Sequence, residues 1–155
     1  MPDFQLPIDV ESAIETLQDE DLSTAERESV IRFLEQEASE RSIRALVSAL
    51  TDDCFAVRWV AGTALARLGD RAIPFVLEMI MRHFNLRLRD SVYHVLHYNY
   101  GLWTQWHTGE LMKALRSVVP DVTAPKEAAK LLSEYQASKE TPRNEYKSGF
   151  DNEEV

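Results

Sequence analysis

Three arginines, Arg27, Arg58 and Arg89, stand 31 residues apart, twice in succession. Three residues after each comes an apolar side chain, Val30, Ala61 or Val92. An apolar pair then follows in each unit: Phe33 and Leu34, Ala64 and Leu65, Val95 and Leu96. The i, i+3, i+4 spacing places these residues on one face of a helix. A shorter stripe precedes each unit: Val10, Ile14 and Leu17, then Ile43, Val47 and Leu50, then Pro74, Leu77 and Met81. A two-helix unit of this size hides its apolar face only by stacking on a neighbour, and about three units are needed before the shared core is stable. The pattern predicts an all-α fold, an α-solenoid of about four stacked antiparallel helix pairs. Helices are expected near 9–18, 23–37, 40–50, 54–68, 72–83, 86–98, 109–118 and 124–138. No stretch sustains period-two alternation, so no sheet is expected.

The boundaries carry matching chemistry. Ser23-Thr24-Ala25-Glu26 is a capping box. Asp52 or Asp53 is positioned to cap the helix carrying Arg58. Gly69 suits the left-handed end of that helix, and Pro74 suits the first turn of the next. The fourth pair departs from the 31-residue spacing, and Tyr98 to Thr108 lengthen the connection before it. After Ala137 the chain turns polar and ends in Asp151-Asn152-Glu153-Glu154-Val155. The expected organisation is a repeat domain over 1–137 and a flexible polar tail over 138–155, with Tyr146 and Phe150 as its aromatic residues.

At 155 residues the chain is long enough for one domain. No apolar run reaches the roughly 18 residues of a membrane span, and Met1-Pro2-Asp3-Phe4 lacks the basic start of a signal peptide. A cytoplasmic location and no membrane partner are expected. A single cysteine, Cys54, excludes an internal disulfide framework and a multi-thiolate zinc site. The net charge of −9 is unevenly spread. Residues 1–40 hold twelve acids and two bases, residues 41–117 six acids and ten bases, and residues 118–155 eight acids and five bases. The acidic end reads as a solvated helix face or as a surface that steers toward a basic partner.

The central unit resembles a known family. It runs Ile43-Arg44-Ala45-Leu46-Val47-Ser48-Ala49-Leu50-Thr51-Asp52-Asp53, then Cys54-Phe55-Ala56-Val57-Arg58-Trp59-Val60-Ala61, and closes Gly62-Thr63-Ala64-Leu65-Ala66-Arg67-Leu68-Gly69. This is similar to the short HEAT-like repeat of the phycobilisome-lyase type: a leucine-rich helix, an Asp-containing turn, Val-Arg-x-x-Ala-x-x-Ala-Leu, and a closing Leu-Gly. The resemblance covers about two thirds of the chain and is strongest over 43–69. It implies a structural role for the repeat Asp and Arg, here a ladder between units in which Arg27, Arg58 and Arg89 each pair with turn acids such as Asp52 or with turn carbonyls. Asp19 is similarly placed in the first unit, and Asn85 stands at the corresponding place in the third. Members of the family assist attachment or removal of linear tetrapyrroles on light-harvesting proteins. A bilin-lyase-like role is therefore the enzymatic alternative that the resemblance implies.

The most unusual composition lies at residues 93–107, with Tyr93, His94, His97, Tyr98, Tyr100, Trp103, Trp106 and His107. His94 and His97 share a helix face, but no Asp, Glu or Cys stands at ligand spacing beside them, so no metal and no cofactor is assigned. As a binding surface the cluster offers large rings at low rotamer cost. As packing, Trp103 and Trp106 would close the exposed end of the stack. Five scattered glycines make no phosphate loop, no Gly-x-Ser-x-Gly motif is present, and no catalytic residue is assigned. A basic middle region (Arg41, Arg44, Arg67, Arg71, Arg82, Arg87, Arg89) with Trp59 gives nucleic acid a foothold, which the overall acidity opposes. The preferred expectation is a non-enzymatic scaffold that binds another protein on the second helices of each pair, using exposed residues among Trp59, Tyr93, His97 and Tyr100. An open solenoid end also admits a homodimer through the terminal helices.

Overall fold

A computed structural model describes residues 3–140 of the protein. The chain forms α1 (Val10–Leu17), α2 (Thr24–Glu37), α3 (Glu40–Ser48), α4 (Phe55–Leu68), α5 (Ile73–His83), α6 (Leu86–His97), α7 (Leu102–His107), α8 (Gly109–Leu115) and α9 (Pro120–Glu140). Single 3-10 turns follow α3 at Ala49–Thr51 and α4 at Gly69–Arg71. The described residues contain no strand, and no helix among them is long and apolar enough to cross a membrane.

Two layers of helices enclose the core. One runs α1, α3, α5, α9 and the other α2, α4, α6, α8, each helix packing on its neighbour in the layer. The repeat positions lie between them: Val30, Leu34, Ala61, Ala64, Leu65, Val92, Val95 and Leu96 are all at most 3% exposed. Phe33 packs on the core while half-buried. Helix starts are fixed by local oxygen acceptors. Asp9 accepts from the Ser12 amide, Ser39 from Ser42 and Asn85 from Leu88. The Ser23 and Glu26 capping box forms as the sequence predicts.

The turn before α4 differs from expectation. Cys54, not an aspartate, occupies the N-cap, while the Asp52 carboxylate accepts from the Cys54 amide at 2.8 Å and pairs with Arg27. Arg27 also reaches the Leu17 carbonyl at 3.3 Å. This pair ties the first unit to the turn of the second and is largely buried. The carboxylate link between units is not repeated by the next two arginines. Arg58 finds no carboxylate in the turn of the next unit, where Asn85 is engaged as a helix cap, so it folds back onto the carbonyls of Asp52 and Asp53 at 2.6 and 3.0 Å. Arg89 has no regular fourth unit to meet and pairs with its own neighbour Asp90 at 2.9 Å. Arg87 makes the link to the second unit's turn instead, bonding Asp53 at 2.6 Å.

The fourth pair is reversed in order. Its first helix, α8, lies in the layer of second helices beside α6, and its second helix, α9, packs along α5. The segment 98–108 makes this crossing and is helical in its middle as α7, a helix absent from the sequence reading. Helix α9 starts at Pro120 and carries Pro125 internally. It starts earlier than the expected 124 because the Thr123 hydroxyl and amide both bond the Val119 carbonyl, closing a first turn ahead of Pro125. Its described part runs to Glu140. Tyr146, Phe150 and the rest of the expected tail from residue 141 lie outside the described residues.

Candidate functional site

Helices α4 and α6 run side by side in the second layer, and their outward positions carry rings. In α4 the four-residue step from Phe55 to Trp59 sets two rings on one face, 6.0 Å between centroids. At the end of α6 the same step sets His94 beside Tyr98, the C-cap residue, 5.0 Å apart. Trp59 meets His94 across the helices at 4.0 Å. His97 joins Tyr98 edge-on at 4.7 Å, and Tyr93 stacks on His97 at 5.8 Å. The result is one continuous chain of rings: Phe55, Trp59, His94, Tyr98, His97, Tyr93. An arginine covers each end, Arg58 at 5.6 Å over Phe55 and Arg116 at 5.1 Å over Tyr93. Both contacts have cation–π geometry.

Large parts of this chain face solvent: Phe55 is 65% exposed, Trp59 49% and Tyr98 55%. Tyr100 beyond them is 70% exposed. The close Trp59–His94 contact depends on Gly62, where a Cβ would come within 2.7 Å of the His94 ring. His94 is half-buried, with Nε2 3.1 Å from the Thr63 hydroxyl. Burial and then the nearby His97 lower its pKa, so the neutral ring prevails at pH 7. Two depressions flank the Trp59–His94 contact. One, of about 370 Å³, opens between Trp59, Arg67 and Tyr100. The other, of about 260 Å³, lies between Phe55, Arg58, Arg87 and Asp90.

The two tryptophans of the 93–107 cluster part company. Trp103 is half-buried, edge-on to Tyr135 of α9 at 4.9 Å and stacked on His107 at 4.4 Å. Trp106 is 82% exposed. His107 Nδ1 lies 2.7 Å from the Trp103 carbonyl, so its ring belongs to the α7 packing and not to the chain of rings on α4 and α6. Among the described residues no group of three or more His, Cys, Asp or Glu side chains is placed to share a metal ion.

Asp70 positions this edge of the face. Gly101 at the N-cap of α7 has no side chain, and Asp70 fills the gap from the turn after α4. Its carboxylate accepts from the Trp103 amide at 3.2 Å, the Thr104 amide at 2.9 Å and the Thr104 hydroxyl at 2.7 Å. Desolvation, the largest influence on its pKa, raises it, but these hydrogen bonds together with the Lys139 charge outweigh it and hold the group below its ordinary value. The Tyr135 hydroxyl donates to the Asp70 carbonyl at 3.1 Å, and the Tyr100 amide donates to Ala66 at 3.0 Å. Tyr100 is thereby pinned beside the larger depression.

Phe55 and Arg116 complete the face without a motif of their own in the sequence, while Tyr98 belongs to the 93–107 cluster and Arg87 to the basic middle region weighed for nucleic acid. Phe55 was legible in principle, four residues before Trp59 on a helix whose opposite face is core. Cys54 is half-buried and its thiol pKa is lowered, first by the Val57 amide and then by the Thr24 hydroxyl.

A family model for HEAT repeats matches residues 10–96, more than half of the chain. No curated protein and no solved structure matches it.

Proposed function

The chain belongs to the HEAT-repeat family, and from that premise we propose that it is a non-enzymatic adaptor whose α4–α6 face docks another protein. HEAT repeats typically serve protein interactions, and stacked pairs present their second helices as an extended surface. One observation carries the reading: an unbroken line of six rings along α4 and α6, exposed at Phe55, Trp59 and Tyr98 and capped by an arginine at each end. Aromatic and arginine side chains dominate binding hot spots because they bring large contact area with few rotatable bonds. A soluble fold gains nothing by leaving these rings in water, since burying each one is worth about 2 kcal/mol.

Photo-crosslinking from position 97 or 100 in cells is the test. A discrete crosslinked protein species that disappears with Trp59→Ala supports the proposal. A chain that crosslinks to no protein and turns over a small substrate overturns it.

The tetrapyrrole alternative has support in the larger depression, where His94, Tyr98 and Tyr100 offer rings and Arg67, paired with Glu35 at 3.3 Å, carries a charge for which a propionate would compete. The phycobilisome-lyase subtype rests on the repeat motif at 43–69. Titration with a bilin separates the two readings. A red shift of the bilin band together with quenching of Trp59 fluorescence favours the chromophore, and an unchanged spectrum removes it.

A further inference from the structure

We infer that the partner presents a short acidic segment to the α4–α6 face and is held at two points: an apolar side chain between Trp59 and Tyr100, and a carboxylate between Arg58 and Arg87. The inference rests on the protein-binding reading of that face and adds the chemistry of the occupant.

The first point follows from the walls of the larger depression. Trp59, Ala66 and Tyr100 line it together. His94 next to them is kept neutral by burial and by His97. A side chain the size of Leu or Phe replaces water there against ring faces.

The second point follows from how the arginines are used. Arg58 spends its hydrogen bonds on two backbone carbonyls and has no carboxylate partner among the described residues. Arg116 likewise has only the ring of Tyr93. Arg87 pairs with Asp53, whose side chain is 95% exposed, so that pair is easily exchanged for a ligand carboxylate. Asp90 is the opposing charge in this depression. It is already paired with Arg89, so once Asp53 is displaced from Arg87 the two arginines are left to the incoming carboxylate, and its charge disfavours a second one close to the first. Guanidinium groups at both ends of the ring line set the spacing for acids flanking an apolar residue.

The rest of the chain disfavours a long polyanion. Residues 1–40 carry a net −10, and at physiological salt charges act over only about 8 Å. A short segment on the face therefore feels its arginines, whereas an extended nucleic acid also meets the acidic first helices.

The test is selection of displayed random 12-residue peptides on the full-length protein, followed by fluorescence anisotropy of the selected peptides. The expected result is enrichment of Asp and Glu around one large apolar residue. Affinity should fall roughly tenfold with the double variant Arg87→Glu and Arg116→Glu, and with rising salt from about 0.05 to 0.3 M. Both arginines are surface residues, and an unchanged circular dichroism spectrum confirms the fold of the variant. Peptides that depend on Trp59 but are neutral or basic, or that ignore the arginine reversals, overturn the inference and leave protein binding standing. Peptides indifferent to Trp59→Ala overturn both. Self-association lost with Trp59→Ala would make the occupant a second copy. A 12-nucleotide oligothymidylate that binds more tightly than every peptide would make it nucleic acid. Either result refutes the acidic segment.

Discussion

Replacing Asp70 by alanine should loosen the whole crossing from α6 to α8. Among the described residues its carboxylate is the only side chain that takes the Trp103 and Thr104 amides at the start of α7, and with the Thr104 hydroxyl it accepts three hydrogen bonds. Thr104 is fully buried, so its amide and hydroxyl lose their acceptor in a place water does not reach. A buried donor left unpaired costs about 1–3 kcal/mol, and loss of a helix cap costs about 1 kcal/mol. These overlap in part, so the expected destabilisation is about 2–4 kcal/mol. For a chain of this length that lowers Tm by roughly 6–12 °C. Urea unfolding followed by circular dichroism measures it, and pH provides the internal control. Because the folded-state pKa of Asp70 is depressed, its contribution is complete above the unfolded-state value near pH 4 and is lost as pH falls through the lower folded value. The gap between wild type and Asp70→Ala should therefore be full at pH 6 and shrink toward pH 3. A gap under about 0.5 kcal/mol at pH 6, or one that stays constant into acid, would refute the assignment of the carboxylate as the pin.

Gly101→Ala should be at least as damaging, because a Cβ there collides with Asp70 Oδ1 and comes within 2.5 Å of the Asp70 backbone nitrogen; loss of a cooperative thermal transition is the readout. Arg27→Ala should cost about 2–4 kcal/mol by stranding the largely buried Asp52, while Arg89→Ala, whose pair is exposed, should stay within about 0.5 kcal/mol. Equal losses in the two variants would restore the ladder as a repeating device. Ala38→Gly should raise stability by roughly 0.5–1 kcal/mol, since Ala38 ends α2 with φ at +48°; a lower urea midpoint would contradict that reading.

The repeat was legible because its information is local and periodic. Apolar residues at i, i+3, i+4 must share a helix face whatever surrounds them. That is why Val30, Ala61 and Val92 could be placed in the core from spacing alone, and why Ser23 and Glu26 could be assigned as a cap. Gly69 was also readable, with φ at +64° and the Gly101 backbone 3.1 Å from where a Cβ would stand. The arginines show where periodicity stops informing. Arg27, Arg58 and Arg89 occupy the same position in three units, yet Arg27 meets the carboxylate of the next unit's turn, Arg58 the carbonyls of its own turn and Arg89 its chain neighbour Asp90, so only the first links two units.

The sequence by itself determined the helices, the faces they bury and the stacking of pairs, because each depends on residues within a turn or two of one another and on one repeated spacing. Tertiary structure alone decided the reversal of the fourth pair, the existence of α7, and the line of rings across α4 and α6. Each of these depends on contacts between residues some thirty to sixty-five positions apart, such as Asp70 with Thr104, Tyr135 with Asp70, and Trp59 with His94. Whether an aromatic side chain ends as packing, like Trp103, or in solvent, like Trp106, follows from which distant helix arrives beside it. Local spacing carries no record of that arrival.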